Sequence, residues 1–203
     1  MSYNDDPVIA RVRAALLPVD IDDGADRVQR EGQRRAAVIM PLVYRGGWQV
    51  ILTQRPETMP QHPGQISFPG GKVETGETAR FAALREMEEE IGIAPGSVTL
   101  LGRLRSFDAV SEFRVTPYVG IIDPKAEIMP DPHEVADVFE TPFDFLINPD
   151  NHVARDVVFD GRNHRLWDMP YTGPDGVFRN IWGMTAMMMF RLYELGFAGA
   201  YEN

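Results

Sequence analysis

The stretch Arg85-Glu86-Met87-Glu88-Glu89-Glu90-Ile91 packs four glutamates into five residues. With Glu86 at zero on a helical wheel of about 100° per residue, Glu90 falls near 40° and Glu89 near −60°, so these three share a face; Glu88, near 200°, points away. Like charges within one turn repel, and the C-terminal end of a helix disfavours anions. A sequence shaped by stability alone would carry lysine or arginine there. Divalent cations such as Mg²⁺ or Mn²⁺, which prefer carboxylate oxygens, remove the conflict. The competing reading is a solvated acidic face. It weakens because Gly70-Gly71 precedes the helix, where backbone without side chains can approach a ligand closely and offer a carbonyl to a metal. Cations held in this way can offset the charge of an anionic ligand and lower the pKa of a bound water.

Several elements must position these groups. Glu77 to Ile91 holds no proline or glycine and is rich in Ala, Leu, Glu, Arg and Met; it reads as a helix that Glu77 opens and Gly92 and Pro95 stop. Ala36–Tyr44 and Trp48–Thr53 read as strands joined by the Arg45-Gly46-Gly47 turn into a hairpin. Residues 56–71, dense in proline and glycine, form a shaped loop. Val8–Leu17 has helical spacing, and Asp20 to Arg35 reads as loop. Strands are expected at Val98–Arg105, Val115–Ile122 and Val135–Glu140, a turn or short helix at Phe143–Leu146, and a closing helix at Thr185–Leu195. No element is assigned between Leu146 and Thr185. The chain divides into an N-terminal helix and loop over residues 1–35 and a single α/β domain over 36–203.

The segment from Gly71 to Ile93 resembles the Nudix signature, G-x5-E-x7-R-E-U-x-E-E-x-G-U with U a bulky aliphatic residue. Gly71, Glu77, Arg85, Glu86, Glu89, Glu90, Gly92 and Ile93 fall on it, and Met87 fills the first U position. The resemblance implies an α/β/α sandwich with a mixed sheet, in which the signature forms loop, helix and loop. It implies that Glu86, Glu89 and Glu90 bind Mg²⁺ or Mn²⁺ with the Gly71 carbonyl, and that Glu77 pairs with Arg85 to brace the loop. Glu86 or Glu89 is the candidate general base. Relatives add a carboxylate from a later loop, and Glu134 is the candidate for that place, with a solvated surface glutamate the alternative.

A second motif narrows the substrate. Ile51-Leu52-Thr53-Gln54-Arg55, followed by Gly64-Gln65-Ile66-Ser67-Phe68-Pro69-Gly70-Gly71, is similar to the extra signature of the coenzyme A pyrophosphatases, a Nudix subfamily. His62-Pro63, Val115-Thr116-Pro117-Tyr118-Val119 and Ile181-Trp182-Gly183-Met184-Thr185-Ala186 resemble the same subfamily. Arg55, Gly70, Gly71 and His62 are the candidate substrate-binding residues, with a surface ion pair the alternative for Arg55 and loop packing that for His62. The subfamily's second arginine position holds Pro60, which carries neither charge nor N–H donor. Losing that group blunts discrimination for the 3′-phosphate of coenzyme A, so ADP-ribose, dinucleotides and other nucleoside diphosphate derivatives stay open as alternatives. A nucleotide-binding regulatory module without turnover is the reading of another class, opposed by the complete box. Arg103, Arg105 and Arg114 contact phosphate or balance the acidic surface. Trp182, Phe190 and Met187-Met188-Met189 read as core.

At 203 residues, 44% hydrophobic and 25% charged, the composition is that of one globular domain. A net charge of −10 and no basic tract argue against nucleic acid as partner and against RNA decapping. No apolar run approaches a membrane span or signal peptide, and no cysteine is present. A cytoplasmic enzyme acting on a small molecule is expected, with room for a homodimer.

Overall fold

The computed structural model describes residues 3, 5–21, 30–59, 62–109, 112–159 and 161–201. Pro60, and residues 22–29 of the expected N-terminal loop, lie outside them. The hairpin forms as expected from β1 (Arg34–Tyr44) and β2 (Trp48–Gln54). Further strands follow at β3 (Ile66–Ser67), β4 (Gly70–Lys72), β5 (Val98–Arg103), β6 (Phe107–Asp108), β7 (Phe113–Ile122) and β8 (Asp137–Pro142). The main sheet runs β3-β2-β1-β7-β5, with β4 on β1, β6 on β7 and β8 on β2. It is mixed, because β1 and β7 pair in parallel from Arg34 opposite Phe113 to Leu42 opposite Ile121.

Side chains alternate across the sheet as the strand period requires. From β1, Ala37, Ile39 and Val43 join Ile51, Tyr118 and Ile122 on one face, where they meet Ala79, Ala82, Ala83, Met87 and Ile91 of helix α2 (Ala79–Ile91). Ala36, Met40 and Leu42 join Val50, Leu52, Val119 and Ile121 on the other. That face is covered by α1 (Pro7–Ala15), α3 (Phe143–Ile147) and α4 (Gly183–Gly196). The result is the α/β/α sandwich the resemblance implies. α1 is capped by Asp6, whose carboxylate accepts from Val8 N and Ile9 N. It ends two residues before Leu17, because Leu17 instead exchanges backbone hydrogen bonds with Arg103.

One structure went unread in the sequence. β9 (Val153–Phe159), β10 (Arg162–Thr172) and β11 (Phe178–Trp182) form a separate antiparallel sheet in the order β11-β10-β9. Most of β9 is exposed, so it lacks the apolar alternation that marks a half-buried strand. Cross-strand ion pairs, Arg155 with Asp168 and Asp156 with Arg165, line the ladder. No helix among the described residues is long and apolar enough to cross a membrane.

Candidate functional site

The site begins where β1 changes partners. Its C-terminal part pairs with β2 (Leu42 opposite Val50), and its N-terminal part pairs with β4 (Ala36 opposite Lys72, Val38 opposite Gly70). Between them Ile39 N donates to Pro69 O at 2.9 Å. The chain from β3 through Pro69 to β4 is thereby wedged into the sheet, which delivers Gly70 and Gly71 to the flank of α2. Gly70 has φ +148°, and a Cβ there would collide with Ala37 O and Val38 Cα. A Cβ on Gly71 would strike the Glu86 carboxylate. Both positions need glycine for close approach, here to the β1 backbone and to Glu86 of the chain itself, where the sequence suggested a ligand.

α2 starts at Ala79 rather than at Glu77, a correction with a clear cause. Thr78 takes the N-cap, accepting from Phe81 N at 3.2 Å. Glu77 turns instead toward Arg85, accepting from its Nε at 2.9 Å and Nη2 at 3.2 Å and from Glu74 N at 3.0 Å. The Arg85 hydrogen bond holds Glu77 below the usual carboxylate range, and Arg85 is raised in turn. Arg85 also donates to Lys72 O at 3.2 Å, so loop and helix are sewn together. The helix closes on Gly92 in the left-handed conformation, φ 73°.

Glu86, Glu89 and Glu90 emerge on neighbouring sides of α2 in unequal surroundings. Glu90 is 5% exposed, and its Oε2 accepts from Gly70 N at 3.1 Å. Burial pushes its carboxyl up to about 8; the Gly70 N–H and Arg55 oppose this, and Glu86 and Glu134 reinforce it. Glu86 is half-buried and also raised, by burial first, with Arg85 opposing and Glu89 and Glu134 reinforcing. Glu89 is exposed and lies 2.7 Å from Arg85 Nη1, while Arg85 Nη2 lies 3.0 Å from Glu86. Among the described residues no three His, Asp or Glu side chains stand as a ready set of metal ligands, because Arg85 draws Glu86 and Glu89 toward its guanidinium. The donor set nonetheless suits a hard divalent cation: its atoms are carboxylate oxygens, and burial makes two of its members resist ionisation, a cost that a bound cation would offset.

The fold brings Arg55 and Glu134 within electrostatic reach of Glu90. Arg55 follows β2, and its Nε is buried without a hydrogen-bond partner. Glu134 arrives on the loop before β8, which is laid against the C-terminal end of α2 by Met129 N to Ile91 O (2.8 Å) and Asp131 N to Glu90 O (3.0 Å). Those two main-chain bonds leave no trace in sequence spacing. His62 sits exposed at a turn with φ 54°, its carbonyl accepting from Gln65 N, and nothing described joins its ring to the glutamates.

Other singled-out residues separate clearly. Arg103 is buried and donates to Leu104 O and Ile21 O; Arg114 pairs with Asp108. Both serve packing, whereas Arg105 is exposed. Met188 and Met189 are core, and Phe190 packs against it, stacked on Trp167 at 4.0 Å. Trp182 is not core. It is 38% exposed, because Arg179 and Ile181 take the inward positions of β11, and the Arg155 guanidinium lies over its ring. Beside it Thr185 donates to Ile66 O at 3.0 Å, and Gly183 lies against Gln65, so this motif latches α4 onto the loop and β3.

The NUDIX domain family model matches residues 33–160. The chain is 40% identical over 155 residues to NudL of Citrobacter koseri, an uncharacterized Nudix hydrolase, covering 76% of this chain and 78% of that one. It is 39% identical over 161 residues to NudL of Salmonella newport, covering 79% and 81%. Among solved structures, a C. elegans Ap4A hydrolase aligns with TM-score 0.48 and 20% identity over 54% of this chain and 80% of that one.

Proposed function

The chain belongs to the NUDIX domain family, and on that premise we propose that it hydrolyses the diphosphate of coenzyme A or an acyl-coenzyme A. Water adds to one phosphorus, the bridging P–O bond breaks, and the products are 4′-phosphopantetheine (or its acyl form) and adenosine 3′,5′-bisphosphate. What supports this most is one juxtaposition. Of Glu86, Glu89 and Glu90 on α2, two have carboxyls lifted by burial, and the more buried, Glu90, lies within electrostatic reach of Arg55, whose Nε is buried with no partner.

Glu86, Glu89 and Glu90 would hold Mg²⁺ or Mn²⁺, with the Gly71 carbonyl and Glu134 alongside. When bound, the ion offsets the charge of the diphosphate and acts as a Lewis acid. The remaining work falls to the chain. Arg55 offers its guanidinium to a substrate phosphate, a charge-assisted contact. Glu86, whose carboxyl is lifted, or Glu89 accepts the proton of the attacking water. Glu77 and Arg85 keep the Gly71 loop at a fixed distance from α2, a bracing role away from the reacting atoms. Gly70 holds Glu90 in place through its N–H.

The experiment is a product-resolved assay with Mn²⁺ or Mg²⁺ on coenzyme A, its form lacking the 3′-phosphate, ADP-ribose and a dinucleotide. The expected result is cleavage of coenzyme A with the highest kcat/KM. A higher value for ADP-ribose would move the assignment to that substrate. No cleavage of any substrate with either metal would overturn the reading.

A further inference from the structure

We propose that Arg179, on the small sheet, is a positioning residue for Glu134, fixing through Asp137 the loop that carries this carboxylate to the α2 glutamates. The inference rests on the reading of that cluster as the metal and substrate site.

Arg179 is 6% exposed. Its Nε and Nη2 lie 3.2 and 2.7 Å from Asp137 Oδ2. Its Nη1 and Nη2 lie 3.1 and 2.8 Å from the Asp175 carboxylate. The guanidinium also stacks over Phe139, 4.4 Å from the ring centroid. Every nitrogen is engaged, and each bond is directional. The guanidinium is buried while its two carboxylates stay 39% and 48% exposed, so the cost of desolvating the cation offsets part of what the pairs contribute to stability. What it supplies is a fixed direction and distance between the elements it joins.

Those elements are β11 and the first residue of β8. Asp137 lies three residues beyond Glu134, and Ala136 N donates to Gln54 O at 2.8 Å in between. Upstream, Asp131 N is bonded to the carbonyl of Glu90, and Glu134 N and Val135 N both donate to Asp131 O. Glu134 is therefore strung between the backbone of Glu90 upstream and the β2–β8 ladder downstream, which begins with Ala136 N to Gln54 O and sets Gln54 opposite Asp137; the Arg179–Asp137 bond adds a side-chain restraint where that ladder starts. Its charge registers on both Glu86 and Glu90. Only that added restraint comes from a side chain of the small sheet.

The test compares Arg179→Lys, Asp137→Asn, Glu134→Gln and the double variant Arg179→Lys/Glu134→Gln. Arg179→Lys should lower kcat about tenfold with KM for the diphosphate little changed. Amide exchange of Val135 and Ala136 should quicken, and Mn²⁺ binding followed by electron paramagnetic resonance should weaken by the same factor as in Glu134→Gln. In the Glu134→Gln background the lysine substitution should add no further loss. Losses that multiply, or unchanged exchange at Val135 and Ala136, would overturn the proposal. Asp137→Asn, which leaves Arg179 its Asp175 partner, should repeat the Arg179→Lys pattern if that variant folds poorly; normal turnover and exchange in it would also overturn the proposal. Full activity in Glu134→Gln removes Glu134 from the site, and with it this inference. The wider reading is judged separately by Glu90→Gln and the substrate panel.

Discussion

The backbone N–H of Gly70 donates to Glu90 Oε2 at 3.1 Å, so the end of the proline–glycine loop is bonded to the most buried glutamate of α2. Loop and helix thus share one carboxylate, and substitutions on either side should report on the same site.

Glu90→Gln keeps an oxygen for Gly70 and removes the charge. Diphosphate hydrolysis should fall about 100-fold or more, as for a lost site carboxylate. The metal-free protein should melt higher than wild type at pH 8. A carboxyl lifted to about 8 by burial withholds stability increasingly as pH rises toward that value, and glutamine removes the effect. Scanning calorimetry at pH 6 and 8 checks it; an unchanged or lower melting temperature at pH 8 counts against the account of Glu90.

Gly70 and Gly71 should respond differently to alanine. At Gly71 the atoms nearest the new methyl are the flexible end of Glu86, so the protein should fold nearly normally and lose activity. At Gly70 it meets the backbone of Ala37 and Val38, at a φ of +148°, and the cost should be about 2–3 kcal/mol. Chemical denaturation of the two variants, set beside their kcat, decides this.

Arg85→Lys replaces a fork that reaches Glu77, Lys72 O, Glu86 and Glu89 with a single ammonium. The expected cost is about 1–2 kcal/mol of stability, a fall of roughly 4 °C in melting temperature for a chain this size. A drop of about tenfold in kcat/KM should accompany it. A variant with wild-type kinetics would show that the brace is not needed for turnover.

His152 should make folding acid-sensitive away from the site. Its Nε2 is 2.8 Å from Leu146 O, its Nδ1 is buried without a partner, and burial lowers its pKa. The folded state then binds this proton less readily than the unfolded chain. Its contribution is full above about pH 6.5 and is lost as pH falls below that value. His152→Gln cannot titrate, so the melting-temperature advantage of wild type over this variant should shrink between pH 7.5 and 5. An advantage independent of pH would contradict the assignment.

Sequence alone determined the parts whose information is local. The spacing of Glu86, Glu89 and Glu90 sets their placement around one helix, because 3.6 residues make a turn. The turn at Gly46-Gly47 and its apolar flanks define the β1–β2 hairpin, and Gly70-Gly71 marks a close backbone approach before any partner is known. The α2 start was misjudged by two residues because a threonine cap and a distant arginine competed for the same turn. Only the tertiary structure decided what Glu90, Arg55 and Glu134 do to one another, since their proximity depends on the β2–β8 pairing, which sets Gln54 opposite Asp137, and on two main-chain bonds from the 129–131 segment to α2. The small sheet, and the link from Arg179 to Asp137 across 42 residues, were equally out of reach. Contacts between residues far apart in the chain leave no period in one sequence; they exist only once strands choose partners, and burial then decides which charges are left to face each other.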